Sequence, residues 1–221
     1  IALDIREAGR AKRDKNNKII RDKKGNMIKK AGKLQHCKAV GWYIDEYKQA
    51  QVSINLTNYK KTSIHKTFEE VRRQARKRGI RVTGSEIVGL LPKDALIKTG
   101  KYYLKKQGKT TGIPNTDILN IAIQSLGLSD IENFNIYEKI IEYKISNNES
   151  SLSNIKLKEF IDITSQGTPT PGGGSISALA GSLGMALTSM VASLSYSKMG
   201  LEKHQKEHIY IGEISQTYMN R

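Results

Sequence analysis

Two histidines, His204 and His208, stand four residues apart in a run with helical periodicity, so both imidazoles fall on one face at a spacing that can chelate a metal ion. The order around them is not that of a zinc-protease helix, because Gln205 rather than a glutamate follows His204, and no third ligand lies nearby. Beside Lys203 and Lys206 the pair reads as two solvated histidines, and no metal is expected. His65 falls in the first turn of another helix, with no nucleophile paired to it. Gly108-Lys109-Thr110 imitates the end of a phosphate loop, but Tyr103 stands where that loop needs glycine.

Three stretches hold more promise. Residues 49–56 alternate, with Val52, Ile54 and Leu56 on one face and Gln51, Ser53 and Asn55 on the other. That second face is polar yet uncharged in a chain whose other exposed surfaces carry Lys or Arg. It is either a solvated sheet face or the floor of a cleft whose amides and hydroxyl meet a flat, hydrogen-bonding ligand. Residues 82–92 read as a strand ending in a glycine-bounded turn, which exposes backbone amides near Ser85 and Glu86; tight strand-to-helix packing is the plainer alternative. Pro171-Gly172-Gly173-Gly174-Ser175 enters a helix, and the N–H groups at such a start attract anions. A flexible linker is the alternative there, opposed by the long uncharged helix that follows and needs a fixed entry.

These groups must be positioned by a hairpin, helices and further strands. The first hairpin arm, residues 38–44, places Val40, Trp42 and Ile44 at alternate positions, and that face is expected to seal a core. Thr62 or Ser63 is expected to cap a helix whose buried stripe is Ile64, Phe68, Val71 and Ala75, with Glu69 and Glu70 early, Arg72 to Arg78 late, and Gly79 closing it. Residues 80–88 read as the next strand, Pro92 opens a helix to residue 106, and Thr116 opens one that Gly127 stops. Residues 139–145 read as a last short strand. Ahead of all this, residues 1–10 look like a helix end terminated at Gly9, and a charge run over 10–38, with a turn at Asp22-Lys23-Lys24-Gly25-Asn26, reads as a mobile, solvated β-arm.

The composition changes at Ser146, where a polar run suggests a linker over 146–156 between a domain at 1–145 and helices over 157–221. From Ile163 to Ser197 no charged residue occurs. Residues 176–194 are long enough to span a bilayer, but they are rich in Ala, Gly, Ser and Thr, which suits a buried bundle helix better than a membrane. The 221 residues carry a formal net charge of +16, so the favoured partners are nucleic acid, an acidic membrane or a polyanionic small molecule. The single cysteine, Cys37, excludes an internal disulfide framework and suits a reducing cytosol. No strand carries the aromatic signature of an RNA-recognition fold. No secretory signal opens the chain, and both ends fall inside helical patterns, as in a piece of something longer.

Gly41-Trp42-Tyr43-Ile44, Ala50-Gln51-Val52-Ser53-Ile54-Asn55-Leu56 and Gly84-Ser85-Glu86-Ile87-Val88-Gly89-Leu90-Leu91-Pro92 resemble the C-terminal subdomain of glutamate formiminotransferase, and Arg6-Glu7-Ala8-Gly9-Arg10 fits the same family. Thr170-Pro171-Gly172-Gly173-Gly174-Ser175 and the helix after it resemble the opening of formiminotetrahydrofolate cyclodeaminase. The order is that of the bifunctional formiminotransferase-cyclodeaminase family. The resemblance implies an α+β fold: a ferredoxin-like subdomain with its first strand missing, followed by the first helices of an all-α bundle. It implies transfer of a formimino group from formiminoglutamate to tetrahydrofolate in histidine degradation, then a cyclodeaminase step releasing ammonia. Tetrahydrofolate is thus a co-substrate, and the basic surface would attract folate polyglutamate; no metal, nucleic acid or membrane is implied. The family also implies a cytoplasmic homo-oligomer joined through the cyclodeaminase helices. Gln51, Ser53, Asn55, Gly84, Ser85, Glu86, Gly172, Gly173, Gly174 and Ser175 are the folate-binding candidates. The family's catalytic histidine and aspartate match no residue here, so these residues alone are expected to be inactive, poorly stable, or both. Two rivals stand beside this reading: a basic nucleic-acid-binding module using residues 12–38, and a non-catalytic folate-binding or assembly domain.

Overall fold

In the computed structural model, which describes residues 1–145 and 152–220, the chain opens on a single helical turn, α1 (Ala2–Ile5). Gly9 then reverses the backbone at φ +64°, and the Lys30 carbonyl sits where a side chain would be, so only glycine fits. Strands β1 (Arg10–Ala11) and β2 (Lys29–Lys30) pair antiparallel and close off the basic arm. Within the arm lies a tandem repeat: Arg13-Asp14-Lys15-Asn16-Asn17-Lys18-Ile19-Ile20, then Arg21-Asp22-Lys23-Lys24-Gly25-Asn26-Met27-Ile28. In each copy the aspartate Oδ1 accepts two backbone N–H groups, from Asn16 and Lys18 or from Lys24 and Asn26. The arginine ahead of it donates to the carbonyl four residues on, at Asn17 (2.7 Å) or Gly25 (2.8 Å). The copies are locked in a ring, since Ile20 N donates to Lys12 O, Ile28 N to Ile20 O, and Lys12 N to Ile28 O. The expected turn at 22–26 is present and has a twin at 14–18.

Strands β3 (Cys37–Ile44) and β4 (Gln49–Leu56) form the hairpin. Its register pairs Cys37 with Leu56, Ala39 with Ile54 and Gly41 with Val52, and that face lies against α1. Ala2, Ile5, Leu34, Cys37 and Ala39 form its buried cluster, backed by Val52, Ile54, Leu56 and Val71. Val40 pairs with Ser53 and Trp42 with Gln51 on the opposite face, where the two apolar side chains are 49% and 53% exposed. This corrects the expectation that Val40, Trp42 and Ile44 seal the core. Pairing parity decides which alternate set of side chains in the arm meets the core, and the small Ala39 and Gly41 are what let α1 approach.

Helix α2 (Ile64–Arg76) begins after Ser63, but no side chain caps it: Ser63 Oγ lies 2.9 Å from His65 Nε2, and Thr62 Oγ1 donates to Gln35 O. Glu69 and Glu70 lie beyond the first turn and pair with Arg72 and Arg73 rather than with the helix start. Helices α3 (Lys93–Lys106) and α4 (Asn115–Leu126) follow, the second closed by Gly127 at φ +61°. The strands expected at 80–88 and 139–145 are not formed. Residues 80–88 join no ladder among the described residues, and Ser85 N donates to Gly127 O instead. At 139–145 only Ile140 bridges, in parallel, to Leu91; its flanks wind into α5 (Ile136–Lys139), capped by Asn135, and α6 (Ile141–Ile145). A strand run with one bridging residue gains too few ladder bonds to hold extended backbone.

Of the linker expected at 146–156, residues 146–151 lie outside the described residues, and Leu152–Asn154 form a single 3-10 turn. Beyond it come α7 (Leu157–Thr164), α8 (Gly173–Tyr196) and α9 (Gln205–Met219), the last two packed along each other. The α8 helix is not the buried helix expected, since Leu183, Leu187, Met190, Val191 and Leu194 are exposed and only Ser189 and Ala192 are buried. One neighbouring helix covers one stripe and leaves the rest open. By length and composition alone α8 could cross a membrane. Contacts divide the chain into two units, one of residues Ile1–Val88, Asp94–Thr99 and Leu126–Phe134, the other of Gly89–Lys93, Gly100–Ser125 and Asn135–Arg221. The class is α+β followed by helices, as expected, with β3–β4 alone standing for the ferredoxin-like sheet among the described residues.

Candidate functional site

The open face of β3–β4 gathers the groups best suited to a ligand. Trp42 and Gln51 are direct cross-strand partners, and the indole N–H donates to Gln51 Oε1 at 2.7 Å. Gln51 Nε2 in turn donates to Glu86 Oε1 at 2.7 Å, from the extended segment after α2. An indole N–H only donates and a carboxylate only accepts, so the Gln51 amide is oriented from both ends. Next along the same face, Ser53 is half-buried beside Val40 and Asn55 is exposed beside Lys38. Neither side chain makes a hydrogen bond among the described residues, so each offers a donor and an acceptor. The face combines an aromatic ring, an aliphatic patch and a row of amide and hydroxyl groups. Such a surface can cover the plane of a flat heterocycle and hydrogen-bond its edge.

The expected site residues therefore divide. Gln51 and Glu86 are brought into direct contact, with Ser53 and Asn55 continuing the row. Gly84 and Ser85 instead pack against the end of α4: Ser85 Oγ donates to Leu126 O at 2.7 Å, and a side chain on Gly84 would meet Asp130 Cβ at 3.1 Å. Gly172, Gly173, Gly174 and Ser175 start α8 in the second unit, Gly172 at the N-cap without a side-chain cap, and nothing lies within 4 Å of the side-chain positions of Gly173 and Gly174. Sequence reasoning missed Trp42 and Val40 as members of the face. The signal that finds them is the pairing parity set by Cys37 opposite Leu56.

No group of three or more metal-ligating side chains occurs among the described residues. The rings of His204 and His208 lie 6.4 Å apart, with His204 Nδ1 bonded to Glu207 at 2.9 Å. His208 is not the solvated side chain expected, because its Nδ1 is buried with no partner among the described residues. Burial pushes His65 below the usual histidine range, opposed by the nearby Glu69 carboxylate.

The described residues thus make an α+β portion with an open, amide-lined sheet face, followed by helices, the longest of them entered through glycines. Residues 1–146 match the model of the formiminotransferase domain, and residues 156–221 match that of formiminotransferase-cyclodeaminase. The chain belongs to the formiminotransferase family. It is 35% identical over 205 residues to a formimidoyltransferase-cyclodeaminase of Dictyostelium discoideum, covering 91% of this chain and 35% of that protein. Its identity to a formimidoyltransferase-cyclodeaminase of Mus musculus is 34% over 200 residues, 90% of this chain and 34% of the other. A glutamate formimidoyltransferase of Streptococcus pyogenes is 40% identical over 93 residues, 42% of this chain and 31% of that one. The chain thus spans about a third of the length of the curated relatives it matches.

Proposed function

We propose that this chain is the portion of a folate-dependent one-carbon enzyme that joins a transferase domain over 1–145 to the first helices of a cyclodeaminase over 157–221. The complete enzyme transfers a formimino group from formiminoglutamate to tetrahydrofolate, and the following step closes the ring and releases ammonia. Support comes from the two family matches in that order and from the names of the relatives. The observation that carries the site is the Trp42–Gln51–Glu86 chain of hydrogen bonds on an open sheet face. A pterin is flat, has an edge of alternating donors and acceptors, and fits a surface that is aromatic on one side and amide-rich on the other. Ser53 and Asn55 then take further polar atoms, while Gly84 and Ser85 hold the segment that presents Glu86. The Gly172–Ser175 helix start is assigned to the anionic part of folate in the cyclodeaminase step. The net charge of +16 favours folates with polyglutamate tails. In this reading the enzyme is cytoplasmic and assembles as a homo-oligomer through the helices around α8.

The test is folate affinity of the complete gene product with Gln51, Ser53 and Asn55 all changed to alanine. A loss of about tenfold or more is expected, at roughly 0.5–1.5 kcal/mol per hydrogen bond. Unchanged affinity for tetrahydrofolate removes this face from the site.

A further inference from the structure

We infer that the tandem-repeat arm forms a docking site for an acidic protein segment bearing large apolar side chains. A groove of about 710 Å³ runs between the arm and α1. Its floor is apolar: Leu3, Ile20 and Met27 line it and are 42%, 37% and 45% exposed. Its rim is cationic, with Lys12, Arg13, Lys29 and Lys30, and no acidic residue lines it. The repeat explains why the lysines are available, while Arg13 is held by the Asn17 carbonyl. Asp14 and Asp22 are the only acids between residues 10 and 38, and both turn their carboxylates onto backbone N–H groups of their own loops. They neutralise no lysine of the rim: Lys12, Lys29 and Lys30 make no ion pair among the described residues, whereas Arg10, which also lines the groove, is paired with Asp4 at 2.8 Å.

The chemistry of the groove selects among occupants. A second copy of this chain is disfavoured by its net charge of +16. Single-stranded nucleic acid is bound by aromatic stacking platforms beside the cations, and no aromatic residue lines this groove. Carboxylates alone would satisfy the rim and leave Ile20 and Met27 in water. A segment that alternates acidic and large apolar side chains meets both, and a thioether adapts readily to different apolar shapes. None of the residues of the open β3–β4 face lines the groove, so the inference does not rest on the folate reading.

The experiment measures, with the full chain, anisotropy of a labelled peptide alternating Glu and Leu, beside oligoglutamate of equal length and oligouridylate RNA. The Glu–Leu peptide is expected to bind at least about tenfold tighter than either control, with affinity falling as salt rises. Exchanging Ile20→Ser and Met27→Ser should lower that affinity about tenfold and leave oligoglutamate binding unchanged, whereas Lys29→Glu with Lys30→Glu should weaken both. If the double serine variant loses its circular dichroism, Met27→Gln alone is read by the same criterion. Equal binding of oligoglutamate, tighter binding of RNA, or insensitivity to the Ile20 and Met27 changes overturns the proposal.

Discussion

Gly112 and Gly212 stand backbone to backbone: a side chain built on Gly112 would lie 2.7 Å from Gly212 Cα, and one on Gly212 would lie 3.0 Å from Gly112 Cα. Gly112 belongs to the loop between α3 and α4, within the transferase match, and Gly212 to α9, within the cyclodeaminase match. Polar contacts surround the crossing. Ser189 Oγ donates to Gly112 O at 3.3 Å, while Thr111 Oγ1 and Lys101 Nζ both reach Glu213 Oε1, at 2.9 and 2.8 Å. The two matched regions therefore meet within one compact unit through groups made complementary by absent side chains.

Gly112→Ala is expected to destabilise the chain by ~1–3 kcal/mol, because the added methyl meets rigid backbone rather than a yielding side chain. The contrast is on α8, where nothing lies within 4 Å of the side-chain positions of Gly181 and Gly184. There Gly→Ala should stabilise by up to ~1 kcal/mol through helix propensity alone. Urea unfolding of the three variants reads both signs, and a stable Gly112→Ala protein would show that the crossing is loose.

Glu213 gives the crossing a pH dependence. Burial raises its pKa, but hydrogen bonds from Lys101 and Thr111 outweigh that and hold it below the usual carboxylate range. A carboxylate with a lowered folded-state pKa contributes stability that is fully present above its unfolded value and is lost as pH falls through the folded one. Stability should therefore fall with acidification below about pH 4.5, the ordinary glutamate range. Glu213→Gln should be less stable than the parent at neutral pH, and the gap should narrow in acid. An equal gap at both pH values, in thermal melts, would show that Glu213 acts without its charge.

Ile5 is fully buried between α1 and the hairpin, whereas Leu3, on the same turn, is 42% exposed. Ile5→Ala should cost ~2–5 kcal/mol and Leu3→Ala no more than ~0.5 kcal/mol. Similar losses at both positions, by chemical denaturation, would contradict the placement of the first unit's core.

Where local patterns settle a structure, the sequence was a reliable guide. The Gly127 helix stop, the Pro92 helix entry, the Asp22 turn and the β4 alternation all depend on neighbours within a few residues. What escaped depends on pairing. The face of β3 is fixed by a register that only the folded hairpin reveals, and alternation alone places Trp42 in the core although it borders Gln51. The eight-residue repeat was legible in Arg13-Asp14 and Arg21-Asp22 but was overshadowed by the charge run around it. Residues 80–88 and 139–145 have strand-like composition, yet composition supplies no ladder partner.

Trp42 is the only tryptophan in the chain, so its emission reports on the open face alone. If a reduced folate stacks there, saturating ligand should quench the fluorescence, and the quenching curve should give the same Kd as an independent binding measurement. Trp42→Leu keeps an apolar side chain but removes the ring and the donor to Gln51, so affinity should fall up to about tenfold, the range of an aromatic contact. Glu86→Gln should weaken binding as well, because the amide can turn its own donors toward Gln51 and no longer holds that side chain from the acceptor side. Folate that binds tightly while leaving the emission unchanged must sit elsewhere. In that case the polar row of Gln51, Ser53 and Asn55 is a solvated sheet surface.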